Sequence, residues 1–245
     1  MALFDWCTMS EQAGLPHNED CVLAEPGYGV FLVADGMGGR PGGAQASRVA
    51  ARAFMDYLRG VNPVAQATPV ALRKAVAAAN KAVREVVLAD PGMAGMGTTL
   101  AAVVLSEAGS RVVNVGDSRV YRFSRGCLEQ LTEDHTLVSE LMSHQIISDA
   151  TAGALELDNV LSRAIGTRPL VEPDITDLSL GEGDWLLLCT DGFYKSLSAD
   201  RIHDLLVVTA GEGAQARCRT LVQAALKAIP QDNVTLAVVR RLVRT

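Results

Sequence analysis

What most constrains this chain is a series of short apolar runs, each cut off by an acidic or glycine-bearing turn. Tyr28-Gly-Val-Phe-Leu-Val-Ala34 carries no charge and stops at Asp35-Gly36, as a strand covered on both faces and ended by a turn would. Similar runs rich in Val and Leu recur at Thr99–Leu105, Arg111–Val115, Val120–Phe123, Trp185–Cys189 and Val234–Val239. These are strand lengths, well short of the roughly 18 apolar residues that a membrane span requires.

Amphipathic helices separate the strands. Ala46, Val49, Ala53, Phe54 and Tyr57 recur three or four apart, as do Leu72, Val76, Ala79, Val83 and Val87, which sets one apolar stripe along each helix. A third stripe uses Cys218, Leu221, Val222, Ala225 and Ile229, with Pro230 ending the helix before the last strand. Strands in hairpin-like succession with helices in pairs, early and late, favour antiparallel sheets covered by helices over a β-α-β-α alternation. The fold class expected is therefore α+β. At 245 residues, without a repeat, linker or low-complexity tract, the chain is expected to be a single domain over residues 1–245. Residues 136–165, weakly periodic towards their end, are expected to form a flap over a site.

Composition supports a packed core: 49% of residues are hydrophobic and 20% charged, with a mean hydropathy of +0.18. Disorder is excluded on that ground. A net charge of −6 and a pI near 5.2 oppose nucleic-acid binding and an anionic membrane surface, both of which need basic patches. The first residues lack a basic segment followed by an apolar one, so the expectation is a cytoplasmic protein. Cys7, Cys21, Cys127, Cys189 and Cys218 are odd in number and without a C-x-x-C pair, which suggests reduced, packed thiols.

The acids fall where strands stop. Asn18-Glu19-Asp20 precedes one run, Asp35-Gly36 ends another, Gly116-Asp117-Ser118 separates two, Thr190-Asp191-Gly192 ends one, and Gln231-Asp232-Asn233 precedes the last. Taken singly, such dipeptides are ordinary turn formers. Brought to one end of a sheet, they would hold carboxylates on rigid elements at a solvent-open point. Carboxylates so placed repel unless protonated or bound to cations, and an oxygen-only set suits Mg²⁺ or Mn²⁺. A nucleotide-loop reading of Gly36-Met-Gly-Gly-Arg-Pro-Gly-Gly43 fails. The dinucleotide pattern meets Pro41 where it needs glycine, and the P-loop pattern meets Ala44 and Gln45 where it needs Lys and Ser or Thr.

Taken in order, Asn18-Glu19-Asp20, Val33-Ala-Asp-Gly-Met-Gly-Gly39, Met96-Gly-Thr-Thr99, Val115-Gly-Asp-Ser-Arg119, Leu131-Thr-Glu-Asp-His135, Leu161-Ser-Arg-Ala-Ile-Gly166, Leu188-Cys-Thr-Asp-Gly192 and Asp232-Asn-Val-Thr235 resemble the motifs of the metal-dependent PPM family of phosphatases, the phosphatase-2C type, in its short bacterial form. The resemblance implies a four-layer α-β-β-α sandwich, two antiparallel sheets between helix pairs. It also implies two to three Mn²⁺ or Mg²⁺ ions. Asp35 would bridge two of them, the Gly36 carbonyl would ligate one, and Asp191 and Asp232 would complete the other. Glu19 and Asp20 would hold metal-bound waters, and Asp117 would share a third ion with Asp191. The implied reaction is hydrolysis of phospho-Ser and phospho-Thr by direct attack of a metal-bridging water. Partners would be phosphorylated proteins and a bacterial Ser/Thr kinase, and a monomer is expected.

Two positions depart from the family pattern. Where the family carries a phosphate-gripping Arg, four residues before Glu19, this chain has Leu15; His17 and Arg40 are the nearby candidates for a substitute cation. Where animal members carry His after Asp-Gly, this chain has Met37, leaving a metal-bound water or His17 to protonate the leaving oxygen. His135 is expected to cap a helix, Cys189 to share a strand face with Asp191, and Arg119 and Arg163 to make structural pairs. Leu15 also motivates a rival reading, a phosphatase-like but non-catalytic phosphoprotein-binding module.

Overall fold

The computed structural model describes residues 3–37, 42–61, 67–106, 109–148 and 160–242. Two five-stranded sheets stack face to face. The first joins β2 (Asp20–Glu25), β3 (Val30–Asp35), β4 (Leu100–Ser106), β5 (Gly109–Val115) and β8 (Asp174–Leu178) in the order β2-β3-β4-β5-β8. The second joins β1 (Leu3–Glu11), β6 (Arg119–Ser124), β7 (Cys127–Gln130), β9 (Trp185–Cys189) and β10 (Val234–Leu242) in the order β1-β10-β9-β6-β7. Every pairing between them is antiparallel.

Each sheet packs on both faces, which explains the unbroken apolar runs. Phe31, Val33, Ala101, Val103, Leu186, Leu188 and Val239 fill the layer between sheets. Outside the first sheet lie α1 (Gly43–Arg59) and α2 (Pro69–Ala89). Ala46, Ala50, Phe54 and Leu58 of α1 meet Leu72, Val76, Ala79 and Val83 of α2 over that sheet. Thr68 caps α2 by accepting a hydrogen bond from the Ala71 N–H, and Pro69 at the first turn has no N–H to leave unpaired. Outside the second sheet lie α5 (Ala199–Val208) and α6 (Ala214–Lys227), packed through Ile202, Leu206, Cys218, Leu221 and Val222. The result is the α-β-β-α sandwich the motifs imply.

Two details depart from the sequence reading. Helix α6 ends at Lys227, and Ile229 lies beyond it, 77% exposed with φ of +57°, so it is not on the apolar stripe. Asp191 does not extend strand β9; it opens the short helix α4 (Asp191–Tyr194) after Thr190. Within the expected flap, α3 (Leu137–Ser143) follows the capping residue Thr136, and Thr136 bridges Leu161. Residues 149–159 of that segment lie outside the described residues.

Candidate functional site

The strand-terminal acids gather at one end of the sandwich. Asp35 is the last residue of β3, and Asp20, the first of β2, stands opposite it in register. The Asp35 N–H donates to Thr99 Oγ1 (2.9 Å), and its carbonyl accepts from Thr98 Oγ1 (2.8 Å) and the Thr99 N–H (2.9 Å). The Gly36 N–H in turn donates to the Glu19 carbonyl at 3.1 Å. A Cβ at position 36 would fall 2.2 Å from the Gly43 carbonyl oxygen, so only glycine brings the backbone this close.

From the second sheet come Asp191 and Asp232. Thr190 is fully buried and its hydroxyl, rather than capping α4, donates to Asp20 Oδ2 at 2.8 Å, tying the two sheets together. Cys189 points into the core between sheet and helices while Asp191 lines the cleft, because the chain turns helical between them. The two do not share a face. Asp232 Oδ1 accepts from the Asn233 N–H at 2.7 Å, and Asn233 Oδ1 accepts from the Glu19 N–H at 2.9 Å. Asn18, Ser10 and Thr235 extend this polar seam, with Asn18 Nδ2 donating to Ser10 Oγ, which lies 2.7 Å from Thr235 Oγ1.

Asp117 sits where the chain crosses from β5 to β6. Gly116 turns there with φ of +103°, a conformation that side chains resist. His135 locks the turn. Its Nδ1 accepts from the Gly116 N–H (3.1 Å), so Nε2 carries the proton and donates to Asp174 Oδ2 (3.0 Å), while Arg163 donates to Asp174 Oδ1 (2.8 Å). This corrects the helix-capping expectation, since Thr136 supplies the cap of α3. Arg119 forms the expected structural pair with Asp134, at 2.6–3.1 Å, and stacks 3.7 Å over the Tyr194 ring.

Asp35, Gly36, Asp117, Asp191 and Asp232 all line one cleft of about 710 Å³, together with Lys195. Lys195 Nζ reaches Asp191 Oδ2 at 2.7 Å and stands 3.9 Å from Asp117 Oδ2. Burial, then repulsion from Asp20, Asp191 and Asp232, holds the Asp35 carboxyl well above the ordinary range. Asp20 is pushed up to about 7, mainly by burial, against the lowering effect of its hydrogen bonds with Thr235 and Thr190. Burial and Asp191 push Asp117 up to about 6, with Lys195 opposing; burial and Asp191 likewise raise Asp232, and burial and Asp232 raise Glu19.

This donor set fits hard divalent cations. Its atoms are oxygens alone, its carboxylates repel one another, and Asp191 Oδ1 and Glu19 Oε2 are buried with no hydrogen-bond partner among the described residues. Among those residues no three acids close around one point as a finished cage. The Lys195 ammonium stands beside two of them, Asp191 and Asp117.

Other predicted residues are not brought in. His17 is exposed and outside the described cleft lining, although its charge lowers the Glu19 pKa. Arg40 lies outside the described residues. Leu15 is half-buried in a turn whose Gly14 abuts the Gln231 carbonyl, next to Asp232. Sequence reasoning missed Lys195. The signal available was the four-residue spacing from Asp191 after a threonine that could begin a helix.

The sequence profile of the family described as Protein phosphatase 2C matches residues 8–229. The serine/threonine phosphatase stp of Listeria welshimeri is 32% identical over 230 residues, covering 92% of this chain and 90% of that protein. The serine/threonine protein phosphatase PstP of Mycobacterium tuberculosis is 36% identical over 225 residues, 91% of this chain and 42% of that longer protein. A crystal structure of the catalytic domain of a serine/threonine protein phosphatase PstP with two manganese ions superposes with a TM-score of 0.84 at 29% identity, covering 99% of this chain and 100% of that one. Since the profile runs from the middle of β1 to the loop after α6 and takes in Asp20, Asp35, Asp117 and Asp191, stopping just short of Asp232, the chain belongs to the protein phosphatase 2C family.

Proposed function

We propose that this protein is a metal-dependent phosphatase that hydrolyses phospho-Ser and phospho-Thr in proteins, with Asp35, Asp191 and Asp232 as the acids that hold its ions. The observation that carries this reading is the arrival of these acids, from both sheets, at one solvent-open cleft. Asp35 would serve both ions, the Gly36 carbonyl one of them and Asp191 and Asp232 the other, and Glu19 and Asp20 would orient their waters. Bound divalent ions supply a water of lowered pKa and offset charge on the phosphoryl oxygens.

The chain's own groups do the rest. Thr98 and Thr99 fix the end of β3 through the Asp35 backbone, which aims its carboxylate into the cleft. Thr190 holds the Asp20 carboxyl against the seam between the sheets. Met37 and Leu161 form apolar parts of the wall, and the 228–231 loop also lines the cleft. His17, outside the described lining, is poorly placed to protonate the leaving oxygen, which favours a water in that role.

Manganese is the ion we expect to support activity, with Mg²⁺ as a substitute. The same reading has a monomer acting in the cytoplasm against a Ser/Thr kinase. In its support, no helix among the described residues is long and apolar enough to cross a membrane. Leu15 alone favours a non-catalytic binding module, and the complete set of Asp35, Asp191 and Asp232 speaks against it.

The test is hydrolysis of a phosphothreonine peptide with Mn²⁺, with EDTA, and by the Asp191→Asn variant. Turnover with Mn²⁺ that collapses in the other two conditions is expected; turnover that survives both overturns the proposal.

A further inference from the structure

The family resemblance assigns a third ion to Asp117 and Asp191, but in this chain a side chain of its own reaches that place. Asp191 and Lys195 are four residues apart across the single turn of α4, and the Lys195 N–H donates to the Asp191 carbonyl at 2.8 Å. That spacing puts the ammonium beside the carboxylate, at 2.7 Å from Asp191 Oδ2 and 3.9 Å from Asp117 Oδ2. Its setting is built: Tyr194 OH lies 3.4 Å from the same Asp117 oxygen, and Arg119, paired with Asp134, stacks over the Tyr194 ring. The Lys195 side chain is 37% exposed and Asp117 only 7%, so the ammonium covers Asp117 from the solvent side.

We propose that Lys195 is a tethered cation occupying the position between Asp117 and Asp191, so that the cleft takes two divalent ions and not a third. The inference rests on the metal reading given above. Charge makes the same point. A divalent ion seated between these carboxylates would stand within a few ångström of the ammonium, and like charges at that range repel strongly in a half-buried site. Lys195 would have to leave before the ion entered. Asp117 then acts as a positioning residue: it holds Lys195 rather than an ion, and the ammonium leaves Asp191 oriented towards the core ions.

Counting Mn²⁺ bound to the full chain tests this, by calorimetric titration with native mass spectrometry as the independent count. Wild type and Lys195→Arg are expected to saturate at two ions. Lys195→Gln is expected to gain a third, weaker ion, which Asp117→Asn in the same chain removes. The half-exposed side chain makes the variant tolerable to the fold, and circular dichroism of the metal-free proteins checks it. Three ions on the wild type, or two on Lys195→Gln at saturating Mn²⁺, overturn the inference and leave the metal reading standing. A wild type that binds no Mn²⁺ overturns the metal reading and the inference with it.

Discussion

The two walls of the cleft carry their acids differently. On the first sheet Asp20 and Asp35 are buried together, in register across β2 and β3, and the largest influences on Asp35, burial and then the neighbouring carboxylates, raise its pKa. On the other side Asp191, Asp117 and Asp232 share the cleft with Lys195, whose charge lowers Asp117 and Asp232. Lys195 itself would be lowered by burial, yet Asp191, Asp117 and Asp35 together hold it above its ordinary range. The second wall thus has more of its charge balance built in than the first, where carboxylates and burial dominate. Ion binding should therefore be governed by the first wall, and the second should tune it.

The largest effect should come from Asp35→Asn. Removing the acid expected to bridge both ions forfeits several kcal/mol of charge stabilisation, about 10³-fold in kcat, with loss of Mn²⁺ binding in the same titration. A loss confined to tenfold would erase the contrast between the walls. Next, His135→Ala frees the Gly116 turn without touching a charge in the cleft. Partners of this kind typically contribute 10–100-fold to activity, so a fall of roughly tenfold is expected, and unaltered kinetics would show that the turn holds itself.

Thr190→Val removes the hydroxyl that joins the walls and leaves a buried Asp20 oxygen without its partner, at a cost of about 1–3 kcal/mol in chemical denaturation. The most diagnostic effect is the pH slope of the metal-free chain. Asp20 and Asp117 sit at about 7 and about 6 when folded, against 3.8 as the reference, so the folded state holds protons that the unfolded state has released. Their contribution to stability is full below pH 3.8 and is lost as pH rises through 6 and 7. Thermal melts of the EDTA-treated protein should fall across that window, and added Mn²⁺ should remove the slope. A flat metal-free profile would mean that the carboxyls are not held protonated.

Much of this arrangement can be read from the chain. Central strands β3, β4 and β9 are covered on both faces and so appear as unbroken apolar runs. Edge strands β1 and β8 and the short β7 do not, since one side faces solvent and their polar residues interrupt the pattern. The positions of Asp35, Asp117, Asp191 and Asp232 at element ends were legible because the turns that stop a strand are local. Lys195 was not. Treating Asp191 as a strand residue sends position 195 away from it, and only the helical turn after Thr190 brings the ammonium back. His135 was misread for a similar reason: its partner Gly116 is nineteen residues away in sequence, and no local pattern announces such a contact.

Strand β1 pairs with β10 from Leu3↔Leu242 to Glu11↔Val234, so the sheet that carries Asp191 and Asp232 is completed by the first and last strands of the described chain. During synthesis the N-terminal strands emerge first, and Asp20 and Asp35 can assemble long before their counterparts exist. Contacts of such sequence separation form late in folding. The acids of the second wall thus depend for their placement on the non-local pairing of β10 between β1 and β9, whereas Asp20 and Asp35 face each other across a hairpin of neighbouring strands.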